Sequence, residues 1–466
     1  MTQAARPRDR VVAESARQTL LILGAGGDLT ARLLLPGLGS LLASDSSRQL
    51  DLLLLGSGPK RWDDQQWRRR VGDSFAAARV AGPRIQAVER DARFLTADAT
   101  VKSDLRRLLD ACVGPPVIFF ALPPAVTMRA CRALEGADLP AGSRLVMEKP
   151  FGTGQASARE LNAMLARLVP EHQVYRVDHF LGKSTVLNIL GLRFANRMLE
   201  PVLNAEHVEA IDIVWDESLA LEGRAGYYDR AGALVDMIQS HLLQILALLA
   251  MRAPASLDPE EFRDRKAEIL RVTRVRADYP SGWSRRARYT AGEVSGRRVP
   301  AYADEDGVDP GRRTETFAEV VFTVDTSRWA GVPFRARSGK ALARPRKEAV
   351  ITFKAPAPLA GLTGYARSDR LRIGFDPDRL CLDLNINGPG DPFAIDPVTL
   401  VAEFGPGNLS AYGEILAGVL ADDPTLSIRG DTAEECWRIV EPVLTTWRND
   451  EVPLREYPAG GTGPDR

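Results

Sequence analysis

The amino-acid sequence predicts an α/β Rossmann-like, doubly wound N-terminal domain, followed by an α+β C-terminal domain with a large, mainly antiparallel sheet. Three observations predict it. From residue 19 to about 177, continuous apolar runs of strand length alternate with helix-period segments. After residue 180 the runs change to partial apolar/polar alternation, separated by turn-rich connectors. The chain's 466 residues also exceed one average domain. Continuous runs mark strands buried on both faces, as in a parallel sheet covered by helices, whereas alternation marks a sheet with one open face.

In chain order, residues 1–18 are polar and are expected to be flexible; they lack the apolar run of a signal peptide. A dinucleotide-binding domain is expected over 19–178. Its strands are TLLILG (19–24), LDLLLLG (50–56), PVIFFAL (116–122) and RLVMEK (144–149), each followed by a helix-period stretch, with a further strand ending near 177. The α+β domain, expected over 179–458, starts with the helical STVLNILGLRFANRML. It continues through the strands HVEAIDIVW, TFAEVVFTVD (316–325), KEAVITFK (347–354), DRLRIGF (369–375) and LCLDLNI (380–386). Residues 276–313, rich in Arg, Gly and charge, are expected to form a long surface connection, and 459–466 a mobile tail.

Composition narrows the function classes. Lys plus Arg equals Asp plus Glu, 61 each, so no bulk field draws the chain to nucleic acid or to a membrane, and an anionic ligand must be held by a local cation cluster. Four scattered cysteines, without CxxC or metal-ligand spacing to histidine, read as free cytosolic thiols with no metal site. The longest apolar run, LLQILALLAM (242–251), is short of a membrane span. A cytoplasmic protein is expected.

Two stretches carry chemistry. LILGAGGDLT places Gly24, Gly26 and Gly27 after the first strand and before a helix, where glycines permit a tight turn and close approach of a phosphate to a helix N-terminus. The second strand ends LLGSGPKRW, with no acid for a ribose hydroxyl but with Lys60 and Arg61 near enough to meet a 2′-phosphate. In the helical ALVDMIQSHLLQILALLAM (233–251), Asp236 and His241 are polar within an apolar surround, a costly placement unless partnered or facing a cleft. Asp236, Ser240 and Gln244 fall at i, i+4, i+8, with His241 on the flank of that stripe. YRVDHFLGK (175–183) sets Asp178, His179 and Lys183 at a strand end. If Asp178 meets His241, the pair forms a general base, leaving His179 and Lys183 to hold an anion.

Together YRVDHFLGK, MEKPFG, LRFANR, EGRAGYYDRAGALVDMIQSHLLQ and GVPFRARSGKAL resemble the glucose-6-phosphate dehydrogenase family, from about residue 20 to about 458. The resemblance implies oxidation of glucose 6-phosphate at C1 to 6-phosphogluconolactone with hydride transfer to NADP or NAD, the first step of the oxidative pentose phosphate pathway. It also implies a homodimer or homotetramer joined through the antiparallel sheet. Carried onto this sequence, His241 is the base and Asp178 its partner. His179 and Lys183 hold the sugar phosphate; Lys149, Lys340, Glu217 and Asp236 bind the sugar. Gly24, Ala25, Gly27, Asp28 and Leu29 form the cofactor turn, with Lys149 and Pro150 beside the nicotinamide.

The sequence departs from the family pattern at three positions. Phe180 stands where a tyrosine usually follows the histidine, Pro59 where an arginine reads the cofactor 2′-phosphate, and Gly26 where a Ser or Thr does. These losses imply that NAD is used as well as or better than NADP, unless Lys60 or Arg61 substitutes. Whether Arg344 or Arg346 takes the family's basic role is open. Two rival readings are a dehydrogenase of another hexose or hexose phosphate and a non-catalytic, regulatory relative.

Overall fold

A computed structural model of the chain describes residues 17–44, 50–276, 282–364, 366–388, 390–405 and 407–465. Residues 1–16 of the expected flexible start and 277–281 of the expected surface connection lie outside the described residues. The chain forms two compact units.

The first unit is built on six parallel strands: β1 (Gln18–Leu23), β2 (Leu52–Gly58), β3 (Arg93–Thr96), β4 (Val117–Phe120), β5 (Arg144–Glu148) and β6 (Val174–Val177). Their spatial order is β3-β2-β1-β4-β5-β6. Chain order reverses direction beside β1, which pairs with β2 on one side (Leu20 opposite Leu54) and β4 on the other (Leu20 opposite Val117). Ligands of open parallel sheets bind at such a switch point, outside the carboxyl ends of the strands. Leu20, Ile22, Leu54, Phe119 and Val146 are fully buried, each contributing about 1.5–3 kcal/mol of hydrophobic stabilisation.

The unit is not one continuous segment. It takes in the chain up to Ser184, Pro254–Arg265 and Gly407–Glu434, whereas the sequence reading assigned everything after 178 to the second domain. The reason is an apolar face: helix Ala411–Leu420 buries Tyr412, Ile415, Leu416 and Val419 in the core beneath β1 and β2. A Cβ on Gly37 would lie 2.5 Å from the Tyr412 Cβ, so the helix can approach this closely only over a glycine.

The second unit holds β7 (Val208–Asp216), β8 (Thr273–Val275), β9 (Ser284–Thr290), the hairpin β10 (Gly292–Val294) and β11 (Arg297–Val299), β12 (Phe317–Val324), β13 (Phe334–Gly339), β14 (Arg346–Phe353), β15 (Arg370–Phe375), β16 (Asp378–Asn387), β17 (Ile395–Glu403) and β18 (Leu454–Pro458). Ten of these strands form one sheet in the order β17-β16-β15-β14-β7-β13-β12-β9-β18, with β8 also beside β12. Pairing is antiparallel except for β7 with β13 and β9 with β18.

Two expectations are corrected here. Residues 276–313 carry β9 and the β10–β11 hairpin, because β9 covers the edge of β12. The expected mobile tail is tied down: the Ala459 N–H donates to Thr290, the Gly460 N–H to Ala341, and Gly461 accepts from Ala343, at 2.8–3.1 Å. The segment from Ala225 to Ala250 has the length and apolarity of a membrane span, yet its most apolar window is wholly buried in this unit. It breaks at Gly232, whose φ is +66°, and continues as a π-helix, Leu234–Leu242, and an α-helix, Leu243–Ala250.

Candidate functional site

The glycine turn follows β1. Gly24 has φ +87°, and a Cβ there would lie 2.2 Å from the Ala121 carbonyl oxygen, so only glycine fits. The N–H groups of Gly24 and Ala25 both donate to the Ser57 carbonyl at 2.9 Å, tying the turn to β2. The donors of these two residues are therefore already engaged, and what they offer is the shape of the turn. Gly27 donates to the Gly24 carbonyl at 2.9 Å. Asp28 is exposed and pairs with Arg32 at 3.3 Å, and Leu29 leads into the helix.

Two cations lie on this turn. Lys60 Nζ donates to the Gly26 carbonyl at 3.1 Å, and Arg70 Nη2 donates to the Gly27 carbonyl at 3.2 Å. Both sit against Trp62, at 4.9 and 6.0 Å from the ring centroid. Arg61 is exposed. A shaped turn at the switch point, with two cations over it, fits a dinucleotide.

At the ends of β5 and β6 the first unit holds the residues expected at the sugar phosphate. Lys149 and Pro150 follow β5 directly and are half-buried. Asp178 follows β6, is 1% exposed, and accepts the Phe180 N–H at 2.9 Å through Oδ1. The tight turn that follows presents His179 and Lys183 around Phe180. The His179 ring stands edge-on to Phe180 at 4.9 Å, and Lys183 Nζ lies 5.3 Å from the Phe180 centroid. The aromatic ring thus retains a packing role where the hydroxyl is lost. His179 also stacks on Tyr412 at 5.7 Å, and Gly182 is needed because a Cβ would lie 2.4 Å from the Ala411 carbonyl oxygen. The Tyr412 hydroxyl donates to Glu148 at 3.0 Å; burial pushes the Glu148 carboxyl up to about 7, against the pull of that hydrogen bond.

The second unit supplies the remaining residues. Parallel pairing of β7 and β13 sets Asp216 opposite Gly339, so the following residues, Glu217 and Lys340, emerge at the same sheet end. They form an ion pair of 2.7 Å with side chains only 20% and 5% exposed. Burial alone pushes Glu217 up, but the Lys340 ammonium and the Trp215 indole N–H outweigh it, holding the carboxylate below its usual range. Arg346 begins β14 and pairs with Glu348 at 2.5 Å; both Arg344 and Arg346 are exposed.

Asp236 and His241 lie in the π-helix and are buried, His241 at 1% exposure. The expected α-helical spacing is replaced over Leu234–Leu242 by π-winding, in which backbone bonds run from i to i+5. Ser240 shows the shift directly: its hydroxyl donates to the carbonyl of Val235, five residues back, at 2.9 Å. Glu315 starts the helix by accepting the Leu234 N–H at 2.9 Å, and Gly232 makes room for it, since a Cβ there would lie 2.3 Å from Glu315 Oε1. Burial pushes Glu315 up to about 7, against the hydrogen bond from Leu234.

The structure therefore groups His179 with Lys183, and Glu217 with Lys340, each within one unit, while Asp178 belongs to the first unit and His241 to the second. Sequence reasoning missed Arg70, Tyr412, Glu148 and Glu315. Arg70 carried a signal: it is three residues after buried Trp67, on the flank of the helix face turned to the core. Tyr412 and Glu315 carried none, because their partners are remote in the chain.

Comparison with known proteins adds the family. The family model described as "Glucose-6-phosphate dehydrogenase, NAD binding domain" matches residues 21–188, and that described as "Glucose-6-phosphate dehydrogenase, C-terminal domain" matches 190–466. The chain is 37% identical to the glucose-6-phosphate 1-dehydrogenase of Gluconobacter oxydans, covering 96% of this chain and 94% of that one. It is 36% identical to the Mycolicibacterium smegmatis enzyme, over 95% and 94%. A solved glucose-6-phosphate dehydrogenase in complex with glucose 6-phosphate superposes with a TM-score of 0.85 at 27% identity, over 96% and 95%. The Mycobacterium avium enzyme gives 0.84 at 28%, over the same shares. The regulator Gal80p of Kluyveromyces lactis, at 10% identity and TM-score 0.53, shares the fold alone.

Proposed function

Because the chain belongs to the glucose-6-phosphate dehydrogenase family, we propose that it oxidises glucose 6-phosphate at C1 to 6-phosphogluconolactone with NAD(P) as acceptor. In the catalysed step the C1 hydroxyl loses its proton to an imidazole nitrogen of His241 as the C1–H bond breaks with its electron pair. The nicotinamide, when bound, supplies the hydride acceptor. Asp178 is the carboxylate partner of His241, orienting the ring and stabilising its protonated form. His179 and Lys183 hold the 6-phosphate through charge-assisted hydrogen bonds, and the aromatic floor of Phe180 and Tyr412 supports that pair. Loss of the tyrosine hydroxyl at 180 weakens substrate binding by about 0.5–1.5 kcal/mol and leaves turnover in place.

The single observation that carries the sugar assignment is the buried Glu217–Lys340 pair. A fixed carboxylate beside a fixed ammonium offers acceptor and donor together, which suits hydroxyls that both donate and accept. Asp236 and Lys149 complete the set.

A homodimer is the assembly favoured here. β17 ends the sheet, and it and β16 expose the apolar side chains Ile386, Leu400 and Val401, with Phe404 just beyond, on a strand edge that needs covering. Light scattering of the purified protein reads the oligomer, and a monomer at micromolar concentration rejects it.

One spectrophotometric assay tests the activity: reduced nicotinamide is followed with glucose 6-phosphate or glucose, each with NADP or NAD. Turnover of glucose 6-phosphate at a kcat/KM far above that of glucose is expected. Absence of turnover with both cofactors would return the chain to the non-catalytic reading, and preference for glucose to the unphosphorylated-sugar reading.

A further inference from the structure

We propose that Lys60 and Arg70 together seat the 2′-phosphate of NADP, and that residue 26 is a glycine because the lysine side chain crosses the space a serine or threonine would fill. The inference rests on the NAD(P) reading above and decides between the two cofactors in favour of NADP.

Four observations carry it. The first is placement. Lys60 and Arg70 reach the carbonyls of adjacent residues, Gly26 and Gly27, at 3.1 and 3.2 Å, and lean on one indole, Trp62. Two like charges are thus held near each other with neutral carbonyls for partners, an arrangement that a dianion would relieve. The second is an unmet donor: Arg70 Nε is buried and has no acceptor among the described residues.

The third is the fit of Gly26. A Cβ there would lie 3.0 Å from Lys60 Cδ and 3.3 Å from Cε, so the lysine's aliphatic chain already occupies that direction. The missing hydroxyl at 26 and the lysine at 60 are therefore one exchange of donor. Lys60 is also anchored: its carbonyl accepts from Trp62 N–H at 3.0 Å and from Thr96 Oγ1 at 3.1 Å.

The fourth is charge. β2 ends in Ser57 and Gly58, with no carboxylate to prefer a free ribose hydroxyl. The nearby acids are engaged elsewhere: Asp63 accepts the Gln66 N–H at 2.7 Å, Asp64 the Phe94 N–H at 2.8 Å, and Asp28 pairs with Arg32. Arg61 is exposed, and among the described residues no contact places it on the turn.

Calorimetric titration of the intact protein with 2′,5′-ADP and with 5′-AMP tests this without turnover. The wild type should bind 2′,5′-ADP about tenfold or more tightly than 5′-AMP. Lys60→Ala should remove most of that ratio while leaving 5′-AMP affinity unchanged, Arg70→Ala should reduce it, and Lys60→Glu should reverse it. In parallel, Lys60→Ala should raise KM for NADP by about tenfold more than it raises KM for NAD. A wild type that binds both nucleotides equally, or a Lys60→Ala variant that weakens both alike, overturns the proposal. If neither cofactor supports turnover, the dehydrogenase reading falls, and the titration still decides the phosphate seat.

Discussion

The glycine turn of the first unit and the carboxylate–lysine pair of the second manage charge in opposite ways. At the turn, an exposed lysine and a half-buried arginine rest on neutral backbone carbonyls. At the ends of β7 and β13, opposite charges are buried against each other and hold two strands in register. Exposed ionic contacts contribute little to stability and exchange readily, whereas a buried pair is costly to break. All three positions at which the sequence departs from the resembled pattern, Gly26, Pro59 and Phe180, lie in the first unit, two of them at or beside the turn, and none at the Glu217–Lys340 pair.

Substitutions should divide along the same line. The largest effect is expected for Lys340→Ala, which takes the ammonium partner away from the half-buried Glu217. Urea denaturation should show a loss of about 3–5 kcal/mol, and a loss under 1 kcal/mol would place the pair with the surface contacts. Next comes Glu315→Gln, which keeps the acceptor for Leu234. The folded-state pKa of Glu315 is raised from 4.5 to about 7, so from about pH 4.5 to 7 the unfolded chain releases this proton while the folded chain retains it. Its contribution to stability therefore falls as pH rises through that window, by up to about 3 kcal/mol. The glutamine variant should be the more stable at pH 8 and should lose its advantage by pH 4.5; parallel stability–pH curves would contradict the burial of an ionisable group there.

Gly24→Ala places a Cβ against the Ala121 carbonyl at a left-handed φ and should cost about 1–3 kcal/mol, together with cofactor affinity; an unchanged melting temperature would show that the turn yields. Smallest is Lys60→Ala, expected to move stability by under about 0.5 kcal/mol while cofactor discrimination changes. A large loss of stability there would erase the contrast between the two regions.

How legible all this is in the sequence depends on which physical signal each part leaves. Four strands of the parallel sheet, β1, β2, β4 and β5, are legible because burial on both faces requires long apolar runs, and β6 is legible from a shorter run that buried Arg176 interrupts. β3 is not: it is a four-residue edge strand, and Phe94 is its one buried residue. β17 escapes for the opposite reason, being exposed along nearly its whole length and so carrying no apolar period. The π-winding of Leu234–Leu242 is invisible to an argument that assumes α-helical spacing. The turn, the strand-end cluster and the buried acids are legible because glycines after a strand, and charges where burial penalises them, stand out locally. The Tyr412 stack on His179 depends on two segments remote in the chain meeting, and no local pattern reveals that.

The assignment of His241 as base with Asp178 as its partner is tested most directly by kcat at saturating substrate and cofactor in His241→Asn, alongside the Kd for glucose 6-phosphate. A fall in kcat of about 100-fold or more, with Kd close to the wild-type value and a comparable kcat defect in Asp178→Asn, is expected. A His241→Asn variant that turns over near the wild-type rate would contradict it.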